Sequence, residues 1–399
     1  MEYKTFKLSE ISDKIGDGLH GTPSYNENGD YYFINGNNLN NGKIEIKNDT
    51  KKVNENEYEK YKKELNNNTL LLSINGTLGN IARYDGEKII LGKSVCYINI
   101  KQQFNVDFIK YIFNSKEFQR YLTVGANGTT IKNVPLSAIR NYEIKIPNIE
   151  NQNKIANILG KLDNKILINN QTNDNLYEIG KAYYNYLFKQ FGYTDKFKKT
   201  ELGYIPNDYE VNYLSDVTKN NRNKVKEDKG YKVLSAIKTG NLQLSEEYFN
   251  KNVPSANLNK YIIVSKDDFA YNPARINIGS IGRNEYEFKT CVSPVYVSFS
   301  IDKRYKYFFD FYFKSNLFKS EVVTRASGSV RQTLKYEDFG LIKLVYPSEK
   351  IIDKFNYLYK SIDKTIMHNQ IENETLTQLR DTLLPKLMSG EIELDKIEI

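Results

Sequence analysis

The chain contains no tryptophan, two cysteines, two histidines, three methionines and nine prolines in 399 residues. Cys96 and Cys291 do not fall at equivalent places, and each lies in an apolar run (SVCYINI and TCVSPVYV). That excludes a disulfide framework and predicts buried free thiols in a reducing compartment. His20 and His368 are too few to build a histidine-based metal centre. No apolar stretch approaches membrane-spanning length, and no basic segment with an apolar core opens the sequence, so a soluble cytoplasmic protein is expected. Charge of neither sign dominates, since 57 Lys plus Arg against 49 Asp plus Glu leave +8. Such an excess is compatible with nucleic acid as a partner without requiring it. What is plentiful is tyrosine, at 32 residues, together with asparagine. Both serve nucleotide contacts, by stacking and by hydrogen bonds to base edges, although a low-GC codon bias produces the same composition.

Against this background the sequence repeats itself. GTTIKNVPLSAIRNYEIKIP ends at Pro147 and GSVRQTLKYEDFGLIKLVYP ends at Pro347. LDNKILINNQTNDNLYEI starts at Leu162 and IDKTIMHNQIENETLTQL starts at Ile362. Nearer the N-terminus LSEIS from Leu8 is answered by LSDVT from Leu214. Two copies of one unit in a single chain form a pseudo-dimer, and a pseudo-dimer reads something with two halves.

Each copy opens with short β-branched and aromatic runs separated by Gly and Asn turns: YYFINGNNL, TLLLSINGTLGNIARY, KIILGKSVCYINI and NYEIKIP in the first. FIKYIFNSKEFQRYL from Phe108 has apolar residues at helical spacing, as does the segment near Phe308. The second part of each copy carries a long apolar ladder. It runs Ile155, Ile158, Leu162, Ile166, Asn169, Asn173, Leu176, Ile179, Tyr183, and in the other copy Phe355, Leu358, Ile362, Ile366, Asn369, Asn373, Leu376, Leu379, Leu383. Such spacing over about four heptads predicts a coiled-coil helix in each copy, with Pro385 breaking the second. The fold class expected is α+β: two mixed α/β globular units, 1–148 and 200–348, each followed by a long helix region, 149–199 and 349–399. The two helices pair as an antiparallel coiled coil about a pseudo-two-fold axis. Asn169 and Asn369, at equivalent inward positions near the middle, are expected to lie close together and set the register.

Several motifs fail on context. Gly16-Asp17-Gly18-Leu19-His20-Gly21 matches a dinucleotide pattern, but Thr22-Pro23 follows where a helix must start. GEKIILGKS has five residues between its glycines where a phosphate loop has four, and a strand follows. Asn272-Pro273-Ala274-Arg275 lacks the second proline and the aromatic of a base-flipping methyltransferase. No spacing of carboxylates, lysines or nucleophiles suggests catalysis.

Three polar loop clusters recur in both copies. The opening loop 16–25 (GDGLHGTPSY) offers His20 and Thr22, and its counterpart NNRNKVKEDKGY diverges. The second cluster offers Asn75, Thr77 and Asn80, answered by Asn272, Arg275 and Asn277. The third offers Asn127, Thr129, Thr130 and Lys132, answered by Arg325, Ser327, Ser329, Arg331 and Gln332. Glycine permits close backbone approach, and these side chains supply phosphate and base-edge contacts, although hairpin turns favour the same residues. The third cluster is expected to be anchored by a strand that follows it at once. Arg331 is its strongest base reader, because arginine bonds a guanine edge through two donors.

The sequence resembles the specificity subunits of type I restriction–modification systems. TLTQLRDTLLPKLMSGEIEL (375–394) is similar to their ending, TELGYIPNDYEV (200–211) to the motif between their repeats, and GDGLHGTPSY to the opening loop of many of their target-recognition domains. Members usually carry tryptophan where Tyr209 stands. The resemblance implies a non-catalytic, DNA-binding subunit whose two recognition domains read the halves of an asymmetric split sequence in double-stranded DNA. It implies helices that space the domains and bind two modification subunits, which hold S-adenosylmethionine, and, where present, two restriction subunits using ATP and magnesium. This chain itself is expected to hold no cofactor. A coiled-coil scaffold with protein-binding ends and a self-sufficient DNA methyltransferase are the alternative readings.

Overall fold

The computed structural model describes residues 2–40, 42–128, 132–226, 230–248, 257–326, 333–392 and 394. The chain divides into two compact units, Met1–Asn169 with Gln370–Ile399, and Asn170–Asn369. Each therefore contains one globular part and a portion of both long helices, Ile149–Phe188 and Glu349–Ser389.

The first unit is built on a four-stranded antiparallel sheet in the order Ser12–Asp17, Val95–Ile100, Thr69–Ser73, Ile81–Arg83. Val95–Ile100 and Thr69–Ser73 are buried along their whole length, which is why they read as unbroken apolar runs rather than as alternating strands. A second, smaller sheet pairs Tyr31–Ile34 in parallel with Ile89–Leu91. Lys4–Lys7 pairs antiparallel with the last strand, Glu143–Ile146. The segment expected as one helix is two, Val106–Asn114 and Lys116–Gly125. Ser115 ends the first in an extended conformation and caps the second by accepting from the Phe118 amide, a local bond that competes with helix continuation.

The second unit repeats this topology. Its sheet order is Thr218–Asn221, Val297–Ile301, Phe269–Tyr271, Ile281–Arg283. Lys232–Ala236 runs parallel to Thr290–Val292, and Glu210–Tyr213 closes against Lys343–Tyr346. The core differs in chemistry: Ile, Leu and Val dominate the first, whereas Phe and Tyr crowd the second. In each unit a short helix, Leu136–Asn141 or Tyr336–Gly340, stands between the third loop cluster and the closing strand. The strand thus does not follow the loop at once. Ile139 and Phe339 bury that helix in the core, so the loop is still anchored at a rigid end.

Within each unit the long helices run antiparallel. In the first, Asp163 meets Arg380, Lys165 meets Glu372 and Asn169 meets Asn373. In the second, Asn173 meets Asn369 and Tyr183 packs near Phe355. Asn169 and Asn369 are both buried. Each bonds the asparagine four residues beyond the other, at 2.9 Å and 2.8 Å, and Asn169 also donates to Glu372. The apolar ladder holds near the middle, but Ile179, Leu358 and Leu379 are exposed. A straight helix at 3.6 residues per turn drifts off a seven-residue seam, and here Gly180, Tyr184 and Tyr359 take the inward places.

Pro385 does not end the second helix, which continues to Ser389. An interior proline costs about 3 kcal/mol. Leu384 and Leu387, on either side, are buried in the first unit's core, and each contributes about 1.5–3 kcal/mol of burial. Packing outweighs the backbone penalty. The helix stops instead at Gly390, with φ +76°.

Candidate nucleic-acid interface

In the first unit the second and third loop clusters, far apart in sequence, are stitched into one surface. The Gly76 amide donates to the Lys132 carbonyl at 3.1 Å, and the Val134 amide donates to the Ile74 carbonyl at 2.9 Å. Asn127 and Asn133 exchange both backbone bonds at 2.8 Å, and the Asn75 side chain donates to the Asn133 side chain at 3.2 Å. Thr77, Asn127 and Lys132 face solvent on this surface. Thr129 and Thr130 lie outside the described residues. Asn75 and Asn80 act partly as scaffolding. The Asn80 amide donates to the Ser73 hydroxyl oxygen, and its side chain donates to the Gly36 carbonyl.

The opening loop joins this surface through the turn 92–94. Gly18 and Leu19 donate their amides to Val95 and Leu91, and the Ser94 carbonyl accepts from Ile74. A side chain at Gly18 would meet the Leu91 carbonyl at 2.2 Å, which is why glycine stands there. His20 and Thr22 are exposed, with His20 bonded to Asp17 at 2.6 Å. The turn exposes Lys93 between the loops. Sequence reasoning passed over Lys93 because the glycine-lysine-serine run around it fails as a phosphate loop. Its only signal was an isolated lysine between two strands.

The second unit builds the same corner differently. The Leu334 amide donates to the Pro273 carbonyl at 3.1 Å, the counterpart of the Val134 bond. Asn272 folds back, accepting from the Ala274 amide through its side chain, so it shapes the loop. Arg275 and Asn277 are exposed around the short turn Ile276–Ile278. Gly279 follows at φ +90°, and a Cβ there would lie 2.7 Å from the Lys238 carbonyl. Lys238 is exposed beside the turn, a second cation missed in sequence. Arg325 is half-buried and ion-paired with Glu321 at 3.2 Å. Ser327, Ser329, Arg331 and Gln332 lie outside the described residues.

A buried charge network lies behind the Arg275 loop. Arg283 pairs with Asp267 at 2.8 Å, Glu285 at 2.7 Å and Asp310 at 2.9 Å, and Lys306 adds a contact to Asp267. Burial works to lower the Arg283 pKa, yet Asp310, Glu285 and Asp267 hold it above the ordinary value. Burial also pushes the Asp310 carboxyl up, against the pull of Arg283. Burial likewise raises the Cys96 thiol, so this sulfur stays protonated and unreactive. Among the described residues no group of His, Cys, Asp and Glu is placed to hold a metal, and no helix is long and apolar enough to cross a membrane.

Residues 1–178 match the model of the type I restriction modification DNA specificity domain. The MjaIX type I restriction enzyme specificity subunit of Methanocaldococcus jannaschii is 26% identical over 323 residues, 73% of this chain and 70% of that one. The MjaVIII specificity subunit of the same organism is 26% identical over 352 residues, 84% and 81% of the two chains. The crystal structure of the S subunit of a type I restriction–modification system from M. genitalium shares the fold, with a TM-score of 0.57, 18% identity and coverage of 97% and 96%. The two repeated units and their paired long helices agree with these likenesses, and it is the type I restriction modification DNA specificity domain that residues 1–178 of the chain match.

Proposed function

We propose that this chain is the non-catalytic subunit that recognises a bipartite, asymmetric sequence in double-stranded DNA and directs type I modification and restriction subunits to it. The recognition domains 1–148 and 200–348 each read one half-site. The helix regions 149–199 and 349–399 space them and seat two modification subunits, with two restriction subunits in systems that cleave. S-adenosylmethionine belongs to the modification subunit, ATP and magnesium to the restriction subunit, and the assembly works in the cytoplasm. The observation that carries this reading is one topology presented twice with different loop chemistry. Asn75 and Thr77 stand at one corner, Arg275 and Asn277 at the other. A protein that read two identical half-sites would have no need of the difference.

Methylation mapping of DNA exposed to the complex of this chain with its modification subunits is the direct test. A single split motif with unlike halves is expected. The chain alone, given labelled S-adenosylmethionine and DNA, should transfer nothing, and transfer would establish the self-sufficient methyltransferase instead. Arg331 is the residue on which base reading in the second half-site rests, and a bidentate arginine is worth about 1–3 kcal/mol of discrimination. Arg331→Ala should relax that half-site and leave assembly intact. Unchanged sites methylated at an unchanged rate would show Arg331 to be a turn residue.

A further inference from the structure

In each unit one of the loops that we place against DNA is tied to a long helix by the same kind of polar chain. In the first unit the loop 73–80 runs straight into strand Ile81–Arg83. Arg83 pairs with Asp107 at 2.6 Å on helix Val106–Asn114. One turn along that helix Tyr111 donates its hydroxyl to Asp163 of the first long helix at 2.7 Å. Asp163 is held in turn by Arg380 of the second long helix at 2.9 Å. In the second unit the loop 272–280 runs into strand Ile281–Arg283. Arg283 grips Asp310 on helix Lys306–Tyr312 and lies 5.6 Å over the ring of Tyr307 on the same helix. Tyr307 donates to Asp363 of the second long helix at 2.8 Å.

The ends of the two chains are repeat equivalents, Arg83 with Arg283 and Asp163 with Asp363. The middle is rebuilt. The acid precedes the tyrosine in Asp107 and Tyr111, and follows it in Tyr307 and Asp310. A domain that needed only to rest on its helix would manage with apolar packing, which both units also have. Apolar contacts are non-directional and tolerate sliding. Hydrogen bonds lose their strength outside a window of a few tenths of an ångström and a limited angle. A shift of one base pair moves a half-site by about 3.4 Å along the duplex, far beyond what such a chain accommodates.

We propose that Arg83–Asp107–Tyr111–Asp163 and Arg283–Asp310–Tyr307–Asp363 are struts that fix the recognition loops 73–80 and 272–280 to their long helices and so make the complex strict about the number of base pairs between half-sites. This rests on the DNA-reading function above. The tyrosines and aspartates are positioning residues: they touch no DNA and select no base.

The test uses the full chain assembled with its modification subunits. A plasmid set carries the two mapped half-sites at the native separation and at one base pair more or fewer. The readout is the ratio of methylation at native over altered spacing. Tyr111→Phe with Tyr307→Phe removes one oxygen from each strut and leaves the packing. The expected result is a fall in that ratio of about tenfold with the same bases read in each half-site, the scale of one hydrogen bond to a charged group. Asp163→Asn keeps an acceptor for Tyr111 and should keep spacing strictness, whereas Asp163→Leu should lose it. A ratio that stays at the wild-type value in the double Phe variant overturns the proposal, whether or not the melting temperature drops. Equal loss at every spacing overturns it too, by reducing the struts to ordinary stability. Failure of the wild-type complex to mark any split sequence would instead sink the function on which the proposal rests.

Discussion

Replacing Arg283 by methionine should be far more damaging than the same change at its repeat equivalent, Arg83. The Arg283 side chain is 5% exposed and faces Asp267, at 9%, and Asp310, at 21%. Methionine fills the volume, leaves Asp310 without its cation and leaves Asp267 with Lys306 alone. Breaking a buried ion pair by removing one partner costs about 3–5 kcal/mol, a large share of the roughly 5–15 kcal/mol that holds a domain folded. Arg83 is 36% exposed and its partner Asp107 33%, so solvent screens the pair and the loss there should be about 1 kcal/mol or less. The absence of tryptophan makes the measurement clean. Tyr209→Trp places one reporter in the second unit's core, where Tyr209 donates its hydroxyl to the Leu187 carbonyl, and urea unfolding is followed in that background. The penalty should also depend on pH. Burial already holds Asp310 above the ordinary carboxylate range. A carboxyl whose folded pKa is raised stabilises the fold only while it is protonated, and that stabilisation is lost as pH rises from the ordinary value through the folded one. Without Arg283 the window extends upward, so Arg283→Met should cost more at about pH 8 than at about pH 5. Equal costs for the two arginines, or a penalty that grows on acidification, would refute the reasoning.

Gly279→Ala places a Cβ at positive φ, 2.7 Å from the Lys238 carbonyl, and should cost at least about 1–2 kcal/mol. Methylation mapping should show the second half-site weakened and the first unchanged. Asn369→Ala leaves Asn173 without its buried donor and should cost about 1–3 kcal/mol in thermal unfolding. Asn173→Leu with Asn369→Leu removes both partners and should melt at or above the wild-type temperature, with spacing between half-sites less uniform if the asparagines set register. Adding a whole heptad to both long helices should lengthen the spacing between half-sites and leave the bases read unaltered, which methylation mapping checks directly.

Much of this fold was legible in the chain because its strongest signals are periodic or repeated. The 200-residue repeat predicted two units of one topology, and the three- and four-residue ladder predicted the long helices and their inward asparagines. What failed were decisions between competing local rules. Pro385 reads as a helix stop, since only the buried leucines beside it show that burial outweighs the lost hydrogen bond. The segment from Phe108 reads as one helix, because Ser115 breaks it through a bond to a backbone amide that apolar spacing does not register. The outer rungs of the ladder, Ile179, Leu358 and Leu379, are apolar and yet exposed, since the helices also serve the globular parts and the seam drifts.

Tertiary structure alone decided which polar residues share a surface. Loop 73–80 and the segment 132–134 become one corner through backbone bonds between residues about sixty apart, Gly76 with Lys132 and Ile74 with Val134, and nothing in either stretch's composition announces the other. The same holds for Lys93 and Lys238, unremarkable until folding sets them beside the recognition loops. It holds most of all for the struts. Arg83, Tyr111 and Asp163 are ordinary residues of a strand and two helices, and their common line exists only because the domain docks on its helix. Sequence records what each residue prefers among its neighbours along the chain. Sites are made by neighbours across it, where distance and angle decide whether two polar groups bond.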